Sequence, residues 1–212
     1  MGTNNNLFFD DPFRVVSVDG QPLLNKTYSI KGTDSLVVKM SLEQGGLLIN
    51  KTTTFYGEGY EIHHKFDVVG GGDFRLGKVP SDAPFYISWL GGLRHAEKDR
   101  FFELSQYTQS YIAQEKNIED FSFNAESQEA ERVFYNGKTD WSAIRNKYFV
   151  NAFIAPSSGS VASGGFLGGN SFQTASQHSV PEYSMGLRFN SSSSLFFQSI
   201  SFFSKSTLKS FL

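Results

Sequence analysis

The chain has 212 residues, with 19 basic and 21 acidic side chains for a formal charge of −2, and it contains 22 Phe, 20 Gly and no Cys. Disulfide scaffolds and cysteine-ligated metal sites are thereby excluded, and no basic field exists of the kind that draws nucleic acid. The length suits one domain, at about 100–200 residues each, with a core that stands without covalent staples. No window approaches the roughly 18 uninterrupted apolar residues of a membrane-spanning helix, so this fragment is expected to be soluble. The opening Met1-Gly2-Thr3-Asn4-Asn5-Asn6 lacks the charged and apolar regions of a signal peptide. Residues 1–6 are therefore expected to be a tag or disordered start, ahead of a single domain over 7–212.

Aromatic and β-branched residues recur in short runs broken by Gly, Asn, Asp and Pro, which predicts an all-β chain of many short strands. Residues 13–18 and 36–42 are strand candidates beside turn signals at Asp19-Gly20 and Gly32-Thr33-Asp34. The Asp-Gly pair is favoured in a tight reversal. Residues 47–56 and 60–69 flank Gly57-Glu58-Gly59 and read as a hairpin. In its second arm Tyr60, Ile62, His64, Phe66 and Val68 share one face, and Glu61, His63, Lys65 and Asp67 the other. Further strands are predicted at 85–90, 103–113, 121–124, 132–135, 148–154, 182–189 and 195–203. So many strands need two packed sheets or a closed barrel, and a sandwich is the expectation.

Residues 157–179 are rich in Ser and Gly and read as a long flexible loop, with a lid or partner-binding loop as the functional alternative. At the end, Ser206 or Thr207 is placed to cap a short helix over 205–212.

Local signs of chemistry are weak. His63 and His64 are adjacent, so a strand points them to opposite faces and they cannot share a metal without a bulge. His95 lies in a charged turn that reads as solvated surface, and His178 in the Ser-rich stretch. No serine has the Gly-x-Ser-x-Gly setting of a nucleophile elbow, Ser158-Gly159-Ser160 included. Gly70-Gly71-Gly72 lacks the spacing of a phosphate loop. No catalytic, cofactor-binding or metal-ligating residue is assigned, and no cofactor is expected.

The most specific stretch runs Trp141-Ser142-Ala143-Ile144-Arg145-Asn146-Lys147-Tyr148-Phe149-Val150-Asn151-Ala152-Phe153-Ile154-Ala155-Pro156. It resembles the W-x-(A/G)-x-(R/Q)-x-(K/H)-Y-F-x-x-A-x-I-P signature of the large periplasmic domain in the YidC/Oxa1/Alb3 family of membrane protein insertases. Trp141, Tyr148, Phe149, Ala152, Ile154 and Pro156 fall on the pattern, with Ala155 as one extra residue before the proline. Thr52-Thr53-Thr54-Phe55, Tyr60-Glu61-Ile62 and Trp89-Leu90-Gly91-Gly92-Leu93-Arg94 with Glu97 look like family segments in the same order, closest in character to Bacteroidetes and Chlorobi members. The family's Gly-Pro pair after the final strand is replaced here by Ser204-Lys205-Ser206-Thr207 ahead of Leu208-Lys209.

This resemblance implies a β-supersandwich of two antiparallel sheets, galactose mutarotase-like, with a short C-terminal helix. It implies a periplasmic location beside the inner membrane, with a signal-anchor helix before this piece and five transmembrane helices after it. The implied role is non-catalytic support of membrane-protein insertion and folding, with the Sec translocon and nascent membrane proteins as partners. Peptide binding in a sandwich groove or at a sheet edge is a further expectation. Trp141, Tyr148, Phe149 and Pro156 are read as structural, since an aromatic-rich strand is more often core than ligand site. The alternative is a carbohydrate-binding or mutarotase-like sandwich, which needs a carboxylate base and a histidine acid across one cleft.

Overall fold

The Asp19-Gly20 pair forms the reversal expected of it. Both residues take positive φ, 47° and 75°, and Val18 and Gln21 exchange backbone hydrogen bonds of 2.8 and 3.0 Å across them. The Asp19 carboxylate then accepts the Val37 amide at 2.7 Å, which ties the turn to the neighbouring strand. These details come from a computed structural model that describes residues 13–22, 27–44, 47–69, 85–93, 106–127, 129–156, 161–173, 179–190 and 194–203. The expected start over 1–6 and the expected C-terminal helix over 205–212 lie outside the described residues.

In chain order the strands are β1 Arg14–Val18, β2 Ser35–Gln44, β3 Leu47–Tyr56, β4 Glu61–Val69, β5 Phe85–Trp89, β6 Gln109–Gln114 and β7 Asn117–Phe121. They continue with β8 Glu131–Thr139, β9 Trp141–Arg145, β10 Phe149–Ile154, β11 Ala162–Gln173, β12 Ser179–Phe189 and β13 Ser194–Phe203. Nine form one sheet, in the order β1-β2-β3-β4-β13-β10-β9-β6-β7, and four form the second, β5-β12-β11-β8. All pairings are antiparallel. The all-β sandwich is the fold expected from the sequence.

The second sheet lies across one end of the first, with β11 and β12 packed on β6 and β9. Ile112 and Ile144 from the large sheet meet Leu167, Met185 and Leu187 from the small one, all fully buried. Tyr183 joins this core with its ring 6.2 Å from Phe121, edge to face, and its hydroxyl accepts the Phe123 amide at 3.1 Å. That partner makes a buried phenol tolerable, because a buried hydroxyl without a hydrogen bond is costly.

The strand expected over 103–113 begins only at Gln109, as β6, and three further elements differ more from the sequence expectation. The Ser/Gly-rich stretch read as a loop over 157–179 contains β11, a twelve-residue strand at the centre of the small sheet. Its glycines follow from close approach rather than from flexibility: a side chain on Gly165 would meet Ile112 Cδ1 at 2.7 Å, and one on the facing Gly186 would collide with the Phe166 ring. The strand placed at 121–124 is instead β7, Asn117–Phe121, followed by a 3-10 turn at Ala125–Ser127. The front of the motif, Trp141–Arg145, is a strand of its own, β9.

Candidate functional site

The motif residues are placed by the β9–β10 hairpin, and Asn146 makes its turn. The buried Asn146 carboxamide oxygen accepts the amides of Tyr148 at 2.9 Å and Phe149 at 2.7 Å, while its own amide donates to the Phe149 carbonyl at 2.9 Å. Short polar side chains that bond their own backbone two or three residues on are what such turns require. At the hairpin's open end Ala155 donates to the Asp140 carbonyl at 2.8 Å, which fixes the chain just before Pro156.

Register separates the motif residues between two faces. Trp141 stands opposite Ala113 of β6 and Ile154 of β10, whereas its neighbour Ser142 stands opposite Ile112 and Phe153, on the face that meets the second sheet. Directly opposed residues share a face, so Trp141 lies on the outward face and Phe149, in phase with Phe153, on the inward one. Trp141, Tyr148, Phe149 and Pro156 are each half-buried, and they do not converge on one point. Around Trp141 the outward face is aromatic and cationic. The Arg145 guanidinium lies 5.5 Å from the Tyr111 ring and donates to Gln109 Oε1 at 2.7 Å. Lys147 Nζ lies 5.5 Å from the Tyr107 ring and 5.1 Å from that of Tyr148.

The histidine strand behaves as strand alternation requires. On the outer side of β4, His63 Nε2 meets Glu61 Oε1 at 2.6 Å, His63 Nδ1 meets the Tyr56 hydroxyl at 3.2 Å, and Lys65 pairs with Asp67 at 3.0 Å. On the inner side His64 Nδ1 meets Thr53 Oγ1 at 3.2 Å. Burial, and then the positive charges of Lys51 and His63, hold the His64 pKa down at about 4. Lys51 is the residue that sequence reading passed over. It shares the inner face of β3 with the buried Ile49 and Thr53, and its ammonium stacks 5.7 Å from the Phe13 ring and 5.5 Å from that of Phe66. Burial lowers its pKa as well. The signal was its odd-numbered place in the alternation of 47–56.

The two histidines therefore serve opposite faces and form no common metal or acid–base centre. Among the described residues no group of three His, Asp or Glu stands ready for a metal. His95, His178, the triglycine at 70–72 and Ser158-Gly159-Ser160 lie outside the described residues.

Comparison with known proteins adds what the geometry leaves open. Membrane protein insertase YidC of Chloroherpeton thalassium is 27% identical over 132 residues, covering 61% of this chain and 21% of the relative. Membrane protein insertase YidC of Chlorobaculum parvum is 28% identical over 131 residues, with 61% and 21% covered. The chain thus spans about a fifth of the length of the curated relatives it matches. Among solved structures, the GH36 alpha-galactosidase AgaA from Geobacillus stearothermophilus superposes with a TM-score of 0.41 at 12% identity, over 92% of this chain and 28% of that one. At that score the likeness decides nothing about activity. The model of the YidC periplasmic domain matches residues 22–192, from the end of the first turn through β12, and the chain belongs to that family.

Proposed function

We propose that this chain is the periplasmic part of a bacterial inner-membrane protein insertase and chaperone. In that role it supports the insertion and folding of nascent membrane proteins and contacts the Sec translocon without catalysing a reaction. The observation that carries the reading is the family match over residues 22–192, joined to relatives that are themselves named membrane protein insertases. The site geometry agrees with a scaffold. The aromatic motif builds a hairpin around Asn146, and the His63–Glu61 pair stands on the outer side of a strand.

The source gene tests this directly. One apolar span upstream of residue 1 and five downstream of Leu212 are the expected result, and deletion of this segment from the full-length protein is then expected to alter the insertion or folding of a reporter membrane protein. A gene without those spans would overturn the proposal. Optical rotation of α-glucose solutions tests the mutarotase alternative, and no acceleration over buffer is expected.

A further inference from the structure

The outer face of the small sheet carries a feature that a buried scaffold does not need. Strand alternation turns Met185, Leu187 and Phe189 of β12 into the core, fully buried, and Ser184, Gly186 and Arg188 outward. Register then sets Phe166 of β11 beside Gly186, Phe134 of β8 beside Phe166, and Tyr86 of β5 beside Arg188 on that same outward face. Phe166 lies flat across Gly186, with only 2% of its surface exposed. It is covered by the Arg132 guanidinium at 4.3 Å and flanked by the rings of Phe134 at 6.0 Å and Tyr86 at 6.3 Å. Phe134 and Tyr86 remain 55% and 38% exposed, and Leu90, just past the end of β5, is 52% exposed.

Among the described residues no carboxylate pairs with either arginine. Arg188 is held by neutral groups, the Ser163 carbonyl at 2.7 Å and Asn136 Oδ1 at 2.9 Å. Arg132 has the ring of Phe166 beneath it and no ion pair among the described residues. On β12 the outward alternation includes one carboxylate, Glu182, whose side chain rests against Gly92. The face therefore presents two guanidinium groups, without an ion pair among the described residues, beside exposed aromatic and aliphatic side chains. Gly164, Gly168 and Gly186 are all outward in register, and the side chains of Arg188, Ser184 and Phe166 lie over them, so no open groove follows the glycines.

We propose that this face docks on an anionic membrane surface. Amphipathic aromatic rings with arginine heads are the side chains that settle at a bilayer's polar–apolar boundary. Charge complementarity favours lipid phosphate at the two guanidinium groups. Addition of an extended peptide at the adjacent β8 edge is disfavoured. The Gln114 carboxamide already occupies the 136–139 end of that edge, donating to the Asn136 carbonyl at 3.1 Å and to Thr139 Oγ1 at 3.0 Å, which shortens the run open to a peptide. With a net charge of −2 the chain as a whole is not drawn to anionic lipid, so any binding must come from a local patch.

Co-sedimentation of the 212-residue chain with phosphatidylcholine vesicles, with and without phosphatidylglycerol, tests the proposal independently of any insertion assay. Binding is expected only with phosphatidylglycerol and is expected to fall at high salt. Arg132→Glu is expected to reduce partitioning roughly tenfold, and Phe134→Ser, at an exposed position, is expected to reduce it without unfolding the chain. Lys39→Glu, at an exposed position on β2, is the control and is expected to change little. Absence of binding to anionic vesicles would overturn the proposal, as would equal losses for Arg132→Glu and Lys39→Glu. Capture of a polyglutamate peptide without vesicle binding would also overturn it and assign the face to an acidic protein.

Discussion

His64 couples one strand to pH. Its folded pKa, near 4, lies below the ordinary 6.5 because burial and the charges of Lys51 and His63 disfavour the imidazolium. Below pH 6.5 the unfolded chain takes up a proton that the folded chain refuses, so stability falls as pH drops from 6.5 towards 4 and is fully retained above 6.5. For a ring still partly open to solvent this amounts to about 1–2 kcal/mol. Urea denaturation at pH 7 and pH 5 is expected to show this slope in the natural chain and a shallower one in His64→Asn. Two other buried polar residues are expected to behave oppositely to each other. Asn146→Ala removes the acceptor of two backbone amides and should cost about 1–3 kcal/mol. Ser142→Ala removes a buried hydroxyl that has no hydrogen-bond partner among the described residues and should change stability by less than about 0.5 kcal/mol, or raise it. Thermal melts of the two variants side by side check both.

At the scale of elements, the β11–β12 ribbon shows what the sequence hides. The hairpin of β3 and β4 and the Asp19-Gly20 reversal were legible because apolar alternation and turn chemistry are local. β11 was not, because Gly165, Gly168 and Gly169 carry no side chain to alternate, and the reason for each glycine is a neighbour distant in sequence: Ile112, Ser184 and Phe123. Likewise β9 gave no strand signal of its own, since Ser142 and Ala143 are small and their burial is decided by Phe153 and Tyr111 across the sheet. Gly186→Ala tests the tight packing of the ribbon. Its methyl group would drive into the Phe166 ring, and a loss of about 1–3 kcal/mol is expected in the urea midpoint. The motif itself was legible as a family signature, but its division between two faces was not, because register is set by partners that the motif does not contain.

For the whole molecule, strand order in the large sheet departs from chain order where β6 lies beside β9 and, with the larger consequence, at β13. β13, the last strand in sequence, lies between β4 and β10 and joins the β1–β4 meander to the β10-β9-β6-β7 half. Until that strand arrives, both halves present unpaired backbone edges, which invite pairing with other chains. A chain shortened to end at residue 193 is accordingly expected to aggregate rather than fold, which size-exclusion chromatography would show; a monomeric, folded product would count against this account. In the order of synthesis the strand at the centre of the large sheet follows the other eight strands of that sheet. The eight strands of that sheet made before β13 therefore emerge with an open seam between β4 and β10. Any chain that continues beyond β13 therefore leaves from the seam between the two halves rather than from an outer edge of the sheet.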